Sequence, residues 1–513
     1  MVVISFFQTI RTSAVRQAIC LGVLHALTFE LAYLSAINSS SWRLIASLAI
    51  SAIVVSLLFY WLLQFPRAKR ITLPLILFYE TVCIYFSWRY GVLIDTNSVA
   101  FLLETDLSES REFIDMSVFY ASITCTIMVV AAVLLTPRLG SPRKYRSRLG
   151  FLIFALAIVA AFSQKQSTAR PDRIQYPLSF RLPISLAGYG SEYIKLRWAV
   201  AMRADLSTLP ISNAGDDLEI VLVIGESARA ANFGINGYGR NTTPRLSELN
   251  VTSYDDVTSC AASTRISVPC IVTRASFKAP ERASQESSFF PIFNILGFET
   301  WWFSNHRVMG KNDSLISSLA KEAQFTDFQG DQYITRRDEN LLPRIEDALR
   351  KTHKRRITVI HSIGSHWQYA LRYGKEFERF KPVCTAQNPS DCTTESLVNA
   401  YDNSILYTDA FLAQIIRRLE NRRAFLIYTP DHGESLGEDG HYLHGQPWRQ
   451  EQRKVPMIFW ASDAFEKDFP ERVKNARSAS AHKLSHDYVF HSLLDCAGIE
   501  GQAIDKSLSL CRP

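Results

Sequence analysis

The sequence predicts a chain in two parts: a bundle of five membrane-spanning helices, then an α/β domain with a mainly parallel sheet, outside the cytoplasm. Three observations carry that prediction. Apolar runs of near-membrane length crowd the first third of the 513 residues. Beyond them, short apolar runs alternate with helical stretches, the pattern of a parallel sheet covered on both faces. Finally, six of the nine cysteines, an even set, all follow the fifth long run, which fits disulfides in an oxidising compartment.

The long runs are Ala18–Ile37, Leu44–Leu63, Ile71–Trp88, Val118–Leu135 and Leu149–Ser163. A span needs about 20 apolar residues, with about 17 at the short end, so the fifth is short. Charge supports it nonetheless. Arg11 and Arg16 precede the first run, Arg67, Lys69 and Arg70 follow the second, and Arg138, Arg143, Lys144, Arg146 and Arg148 fill the loop before the fifth. The alternate loops carry less positive charge, and the stretch from Glu104 to Asp115 is mainly acidic. The positive-inside rule then puts the N-terminus in the cytoplasm and everything after Ser163 outside it. The first run reads as a retained anchor because further spans follow it. Glu30 and Glu80 lie inside apolar runs, where an ionised carboxylate is costly and needs a partner or a role. The net charge of +7 sits largely beside these runs, which argues against a nucleic-acid binder.

Cysteine placement tests the topology independently. Cys20, Cys83 and Cys125 fall in apolar runs and read as small hydrophobes. Cys260, Cys270, Cys384, Cys392, Cys496 and Cys511 lie beyond the last run. Short spacings favour pairs 260–270 and 384–392, leaving 496–511.

Residues 1–163 are thus expected to form the membrane domain, 164–217 a juxtamembrane connector and 218–513 the globular domain. Pro171, Pro177 and Pro183 punctuate the connector, and Ser191–Ala204 fits an amphipathic helix at the membrane surface. Expected strands are Ile220–Ile224, Thr300–Phe303, Thr358–His361, Ala424–Tyr428 and Val455–Trp460. Asn403–Glu420 is the clearest helix, with Ile405, Leu406, Phe411, Leu412 and Ile415-Ile416 on one stripe.

Two strand ends carry the chemistry. Ile220–Ile224 runs into Gly225-Glu226-Ser227, and Phe425–Tyr428 is followed by Asp431-His432-Gly433-Glu434-Ser435. Ligands and metals sit at the carboxyl ends of strands in open α/β sheets. Glu226, Asp431 and His432 therefore form a candidate divalent-metal site with oxygen and nitrogen donors, zinc first among the choices. Between them lies a hydroxyl-rich segment, Ser259 to Cys270. Its plain reading is a stapled turn whose hydroxyls satisfy backbone groups. Its chemical reading is a Ser or Thr nucleophile activated by a metal. Further imidazoles cluster at strand ends: His361 and His366 after the Thr358 strand, and His441 and His444 a few residues beyond Asp431-His432.

The segments Val223–Arg229, Asn241–Pro244, Ser263-Thr264 with Ser267–Cys270, Gly364–His366, Tyr401–Asn403, Asp431–Ser435 and Tyr442–Gly445 stand in an order that resembles the bacterial phosphoethanolamine transferases. These inner-membrane enzymes modify lipopolysaccharide and include the mobile colistin-resistance proteins. The resemblance implies an alkaline-phosphatase/sulfatase-like periplasmic domain on a five-helix anchor. It implies that Glu226, Thr264, Asp431 and His432 hold a catalytic zinc, with Thr264 the nucleophile. His366 and His444 match histidines that contact the transferred phosphoethanolamine or a second metal, and Glu434 stands close enough to assist. It further implies phosphatidylethanolamine as donor and a lipopolysaccharide or other periplasmic glycan as acceptor. Glu109, in the acidic loop, and Asn305, near Lys311, fall in stretches that meet substrate in the family.

The chain departs from the colistin-resistance branch at Trp367-Gln368, where that branch has Gly-Pro, and at Phe101, where an Asn is expected. Those changes bear on the acceptor: lipid A, core sugars and periplasmic glucans all remain open. A sulfatase would need an oxidisable Cys/Ser-x-Pro-x-Arg motif, and none occurs. Phosphoglycerol transferases of the lipoteichoic acid type, which also use a Thr and five spans, are a nearer rival. A membrane sensor or binding protein that kept the fold without catalysis is the third reading.

Overall fold

The computed structural model describes residues 202–213, 217–306, 314–328, 337–351 and 355–512, with scattered single positions before them. Among the described residues no helix is long and apolar enough to cross a membrane. Apart from those scattered positions, the five expected spans and the connector up to residue 201 fall outside the described residues, as do Glu30, Glu80, Glu109 and Lys311.

The globular part is built on one eight-stranded sheet. Its strands in chain order are β1 (Leu218–Gly225), β2 (Val251–Thr258), β3 (Glu299–Ser304), β4 (Phe325–Phe328), β5 (Arg355–His361), β6 (Ala424–Pro430), β7 (Lys454–Ala461) and β8 (Leu484–Ser485). Across the sheet they lie in the order β8-β2-β7-β6-β1-β5-β3-β4. The central strands β6, β1, β5, β3 and β4 run parallel. The expected strand at Val455–Trp460 is present, but β7 runs antiparallel to both neighbours, so the sheet is mixed.

Period-2 alternation sorts the central side chains onto two faces. Ile220, Leu222, Ile224, Ile357, Val359, Phe425, Ile427 and Phe459 join one core cluster with Phe289, Phe290, Phe293, Trp302 and Phe490. The intervening Val221, Val223, Ile360, Leu426 and Tyr428 are equally buried and face the opposite side. Each such aliphatic side chain stabilises the fold by about 1.5–3 kcal/mol, which explains why the central strands read as unbroken apolar runs.

Three helices matter to the site: α1 (Thr264–Val272), α2 (Thr394–Leu419) and α3 (Asp487–Cys496). The Thr393 side chain caps α2 by accepting the Ser396 amide, and Arg417 and Arg418 stand in its last turn, both favourable placements. The helix therefore begins well before the Asn403 apolar stripe. Disulfides join Cys260 to Cys270, Cys384 to Cys392 and Cys496 to Cys511, with Cα separations of 6.3, 5.7 and 5.4 Å. Just ahead of the sheet, Ile211–Asn213 pairs antiparallel with Ile499–Gly501, so the end of the expected connector is anchored to the last strand of the chain.

Candidate active site

Register places the site. In the parallel ladder Gly225 pairs with Pro430, Ile224 with His361, and Ser304 with His361. Four adjacent strands thus end level, and the residues just beyond them converge: Glu226 after β1, Asp431 and His432 after β6, His306 after β3, and His361 and His366 at and after β5. Backbone bonds lock the ends together. The Asp431 amide donates to the Gly225 carbonyl at 3.0 Å, Ser362 to Ile224 at 3.0 Å and Ser365 to Glu226 at 2.9 Å. Ser227 adopts φ 55°, a left-handed conformation that a non-glycine residue takes up only under constraint.

Thr264 reaches the same point from a different element. The Cys260–Cys270 disulfide closes the segment that carries it. Ser259 and Ser267 Oγ are spent on the Ala261 backbone, and the Ala262 carbonyl accepts the Gly445 amide. The stapled-turn reading therefore holds for those two serines. Thr264, the first residue of α1, does something else. Its Oγ1 donates to Glu226 Oε2 at 3.1 Å and lies 3.3 Å from His432 Nε2. The helix N-terminus adds a positive partial charge beside that oxygen.

Glu226, Asp431 and His432 are all buried, and one donor atom from each lies within 4.8 Å of the others. The His432 Nδ1 hydrogen bond to the Gly433 carbonyl, 2.8 Å, leaves Nε2 turned to the carboxylates, 3.4 Å from Glu226 and 3.3 Å from Asp431 Oδ2. Asp431 Oδ1 accepts the Ser227 and His432 amides, but Oδ2 is buried with no hydrogen-bond donor. An orphaned carboxylate oxygen is expensive to bury. Together with Glu226, the oriented imidazole and the Thr264 hydroxyl, it makes a donor set that fits a tetrahedral zinc-type cation. The electrostatics agree. Burial and the Glu226 carboxylate push Asp431 up, to about 8. Burial opposes the His432 cation, yet Asp431 and Glu226 outweigh it and raise the ring to about 10. Without a cation, a proton has to sit among these carboxylates.

A second group adjoins the first. His444 Nδ1 bonds Glu434 Oε2 at 2.9 Å, and Glu434 Oε1 accepts from the Tyr369 hydroxyl at 2.8 Å. The His444 ring stands 4.2 Å from that of His432 and 6.4 Å from that of His366. Burial holds His366 down, to about 3, so the ring is neutral. Asn305 is buried and donates to Asp338 Oδ1 at 2.9 Å. Asp338 also accepts the amides of Ile363 and Gly364, so Asn305 helps to fix the loop bearing His366.

Two participants escape sequence reasoning. His306 follows Asn305 on the strand end, and its Nε2 lies 3.6 Å from Glu226 Oε2. His486, at the start of α3, contacts both the Cys260 amide and the Pro430 carbonyl. Neither belongs to a local motif, since both become relevant only through pairing across the sheet.

Residues 219–499 match the sulfatase family and residues 50–178 the family described as phosphoethanolamine transferase EptA/EptB. The phosphoethanolamine transferase EptA of Escherichia coli K12 is 30% identical over 472 residues, covering 83% of each chain. The phosphatidylethanolamine transferase Mcr-1 from Escherichia coli is 31% identical over 432 residues, 76% of this chain and 77% of that one. Among solved structures, the integral membrane lipooligosaccharide phosphoethanolamine transferase A of Neisseria meningitidis superimposes with a TM-score of 0.79 at 25% identity, covering 98% of this chain and 99% of that one. A sulfatase-like sheet, collinear site motifs and relatives spanning most of both chains have one common account: this chain belongs to the phosphoethanolamine transferase family.

Proposed function

We propose that this protein transfers phosphoethanolamine from phosphatidylethanolamine to a lipopolysaccharide acceptor, lipid A or a core sugar, with Thr264 as the covalent carrier. The observation that carries the reading is the approach of Thr264 Oγ1 to Glu226 and His432 beside the donor-free oxygen of Asp431. The names of the relatives, a phosphatidylethanolamine transferase and a lipooligosaccharide phosphoethanolamine transferase, support this choice of donor and acceptor class.

Glu226, Thr264, Asp431 and His432 would hold a zinc ion. When bound, zinc lowers the pKa of a hydroxyl and neutralises charge on phosphoryl oxygens. The chain's own residues do the rest. Thr264 Oγ1 forms a bond to the phosphorus while the bond from phosphorus to the diacylglycerol oxygen breaks. The threonine proton is directed to Glu226. The departing oxygen takes up a proton, for which His444, half-buried and held by Glu434, is the donor. His366 and His444 flank the phosphoryl oxygens and Glu109 serves the substrate-binding side, while Asn305, buried against Asp338, acts from behind by fixing the loop that bears His366. In the second step a hydroxyl oxygen of the acceptor attacks phosphorus and gives its proton to His444, while the bond from phosphorus to Thr264 Oγ1 breaks and Thr264 takes its proton back from Glu226. Each step is a single displacement, so the kinetics are ping-pong. Both substrates are amphiphiles, which accounts for a catalytic domain tethered to the inner membrane, N-terminus in the cytoplasm and the sheet domain in the periplasm.

The test is to incubate the purified full-length protein with phosphatidylethanolamine and no acceptor, then map the chain by mass spectrometry. One phosphoethanolamine unit on the Thr264 peptide is expected. No adduct, or an adduct only from phosphatidylglycerol, overturns the reading, the latter in favour of phosphoglycerol transfer.

A further inference from the structure

Glu226 has a second set of neighbours that the transfer reaction does not use. His306 and His361 stack face to face, ring centroids 4.0 Å apart and planes 13° apart. Donor atoms of Glu226, His306 and His361 lie within 4.8 Å of one another, with His306 Nε2 3.6 Å from Glu226 Oε2. Glu226 and His361 are each 1% exposed. His361 Nδ1 lies 3.3 Å from Ser304 Oγ, but its Nε2 is buried with no hydrogen-bond partner. A buried ring nitrogen is almost always satisfied, so an orphan beside a carboxylate and a second imidazole calls for an explanation.

We propose that Glu226, His306 and His361 form a second divalent-metal site that shares Glu226 with the site at Thr264. Two imidazoles and one carboxylate suit a borderline cation such as zinc or cobalt rather than magnesium, which prefers an all-oxygen shell. Three protein donors leave a position open for water. His306 is half-buried, whereas His361 is sealed from solvent. To bind, His306 turns out of the stack, gives up the hydrogen bond of its Nε2 to the Ser362 carbonyl, 2.9 Å, and carries its ring proton on Nδ1 instead. Glu226 Oε2, the oxygen nearest His306, also accepts the Thr264 hydroxyl at 3.1 Å, so an occupied second site would hold that carboxylate in a single orientation for Thr264.

The experiment counts metal rather than turnover, so its failure leaves the transfer reading intact. Detergent-purified full-length protein is equilibrated with zinc, freed of excess, and analysed by inductively coupled plasma mass spectrometry. Wild type is compared with His306→Asn and, as a control on the Glu434 side, with His444→Ala. The expected result is one equivalent fewer in His306→Asn than in wild type, and the same decrement when His306→Asn is added to His444→Ala. Cobalt titration should show the matching loss of one absorbance step. Because His306 is partly exposed, His306→Asn is expected to fold, and an unchanged melting profile of the metal-free protein checks this. Equal metal content in wild type and a folded His306→Asn overturns the proposal.

Discussion

His486 Nδ1 accepts the Cys260 amide at 3.2 Å while its Nε2 lies 3.0 Å from the Pro430 carbonyl. One buried ring thus ties the disulfide-closed segment carrying Thr264 to the strand end carrying Asp431. Only a neutral imidazole can donate at one nitrogen and accept at the other, and burial pushes this ring down to about 3, so it is neutral at any working pH. His486→Ala should lower kcat by about 10–100-fold, the range for residues that orient a metal site from behind. KM for phosphatidylethanolamine should stay nearly constant, and His486→Gln should recover part of the loss. An unchanged kcat in a folded His486→Ala would show that the bridge is only structural.

Gly364, in the loop after β5, packs against Glu226, the residue that follows β1. Its φ is +44°, and an added Cβ would meet the Glu226 backbone nitrogen and oxygen at 2.8 Å each. Gly364→Ala is expected to cost about 1–3 kcal/mol from overpacking and roughly 1–2 kcal/mol from the left-handed conformation. The strain falls on Glu226 itself, so bound zinc should drop together with the melting temperature. A variant with full zinc content and unchanged melting would contradict this account of the glycine.

How far the sequence could see follows from which signals are local. The metal donors were legible because Glu226 and the Asp431-His432 pair each follow an apolar strand directly, and a level parallel sheet brings such ends together. Strand β2 was not legible. Its residues, Val251-Thr252-Ser253-Tyr254-Asp255-Asp256-Val257-Thr258, are largely polar, with only Tyr254 and Val257 buried. The direction of β7 was equally hidden, since an apolar run does not reveal which way it runs. His306 became visible only through the pairing of Ser304 with His361, and His486 lies 226 residues from Cys260. Asp338 gathers Asn305, Ile363 and Gly364 from two separate strand ends. No window of sequence holds that arrangement.

Chelation should expose how much the buried carboxylates depend on a cation. With the metal removed, Asp431 Oδ2 makes no hydrogen bond and stands beside a second buried carboxylate, with only the His432 ring, 3.3 Å away, to offset the charge. At zinc concentrations ~1,000 times the dissociation constant, linkage stabilises the fold by about 4 kcal/mol. Treatment with a chelator should therefore abolish transfer and lower the melting temperature by several degrees, with zinc restoring both. Asp431→Asn should melt at the same temperature with and without chelator if this site dominates the effect; a persistent difference would assign it to other ligands.

Asp409 provides a pH-dependent stability contribution remote from the catalytic residues. It sits in α2, fully buried, where its carboxylate accepts the Leu246 amide at 2.8 Å and the Arg245 amide at 3.1 Å. It thereby caps the short helix Pro244–Glu248, whose own Thr243 makes no side-chain cap. Burial raises its pKa to about 6, against the pull of those amides and of Arg245. Unfolded, an Asp titrates near 3.9, so between about pH 4 and 6 the folded state binds more protons than the unfolded one. Stability from this group is therefore full below pH 4 and is lost as pH rises to 6, on the order of 3 kcal/mol in all. Asp409→Asn keeps one acceptor and cannot ionise, so it carries a constant penalty but no slope. Thermal unfolding of both proteins at pH 4, 5, 6 and 7 should show wild type losing its advantage across that window and no further change above it. A difference that stays flat from pH 4 to 6 would mean that Asp409 is already ionised in the fold at pH 4.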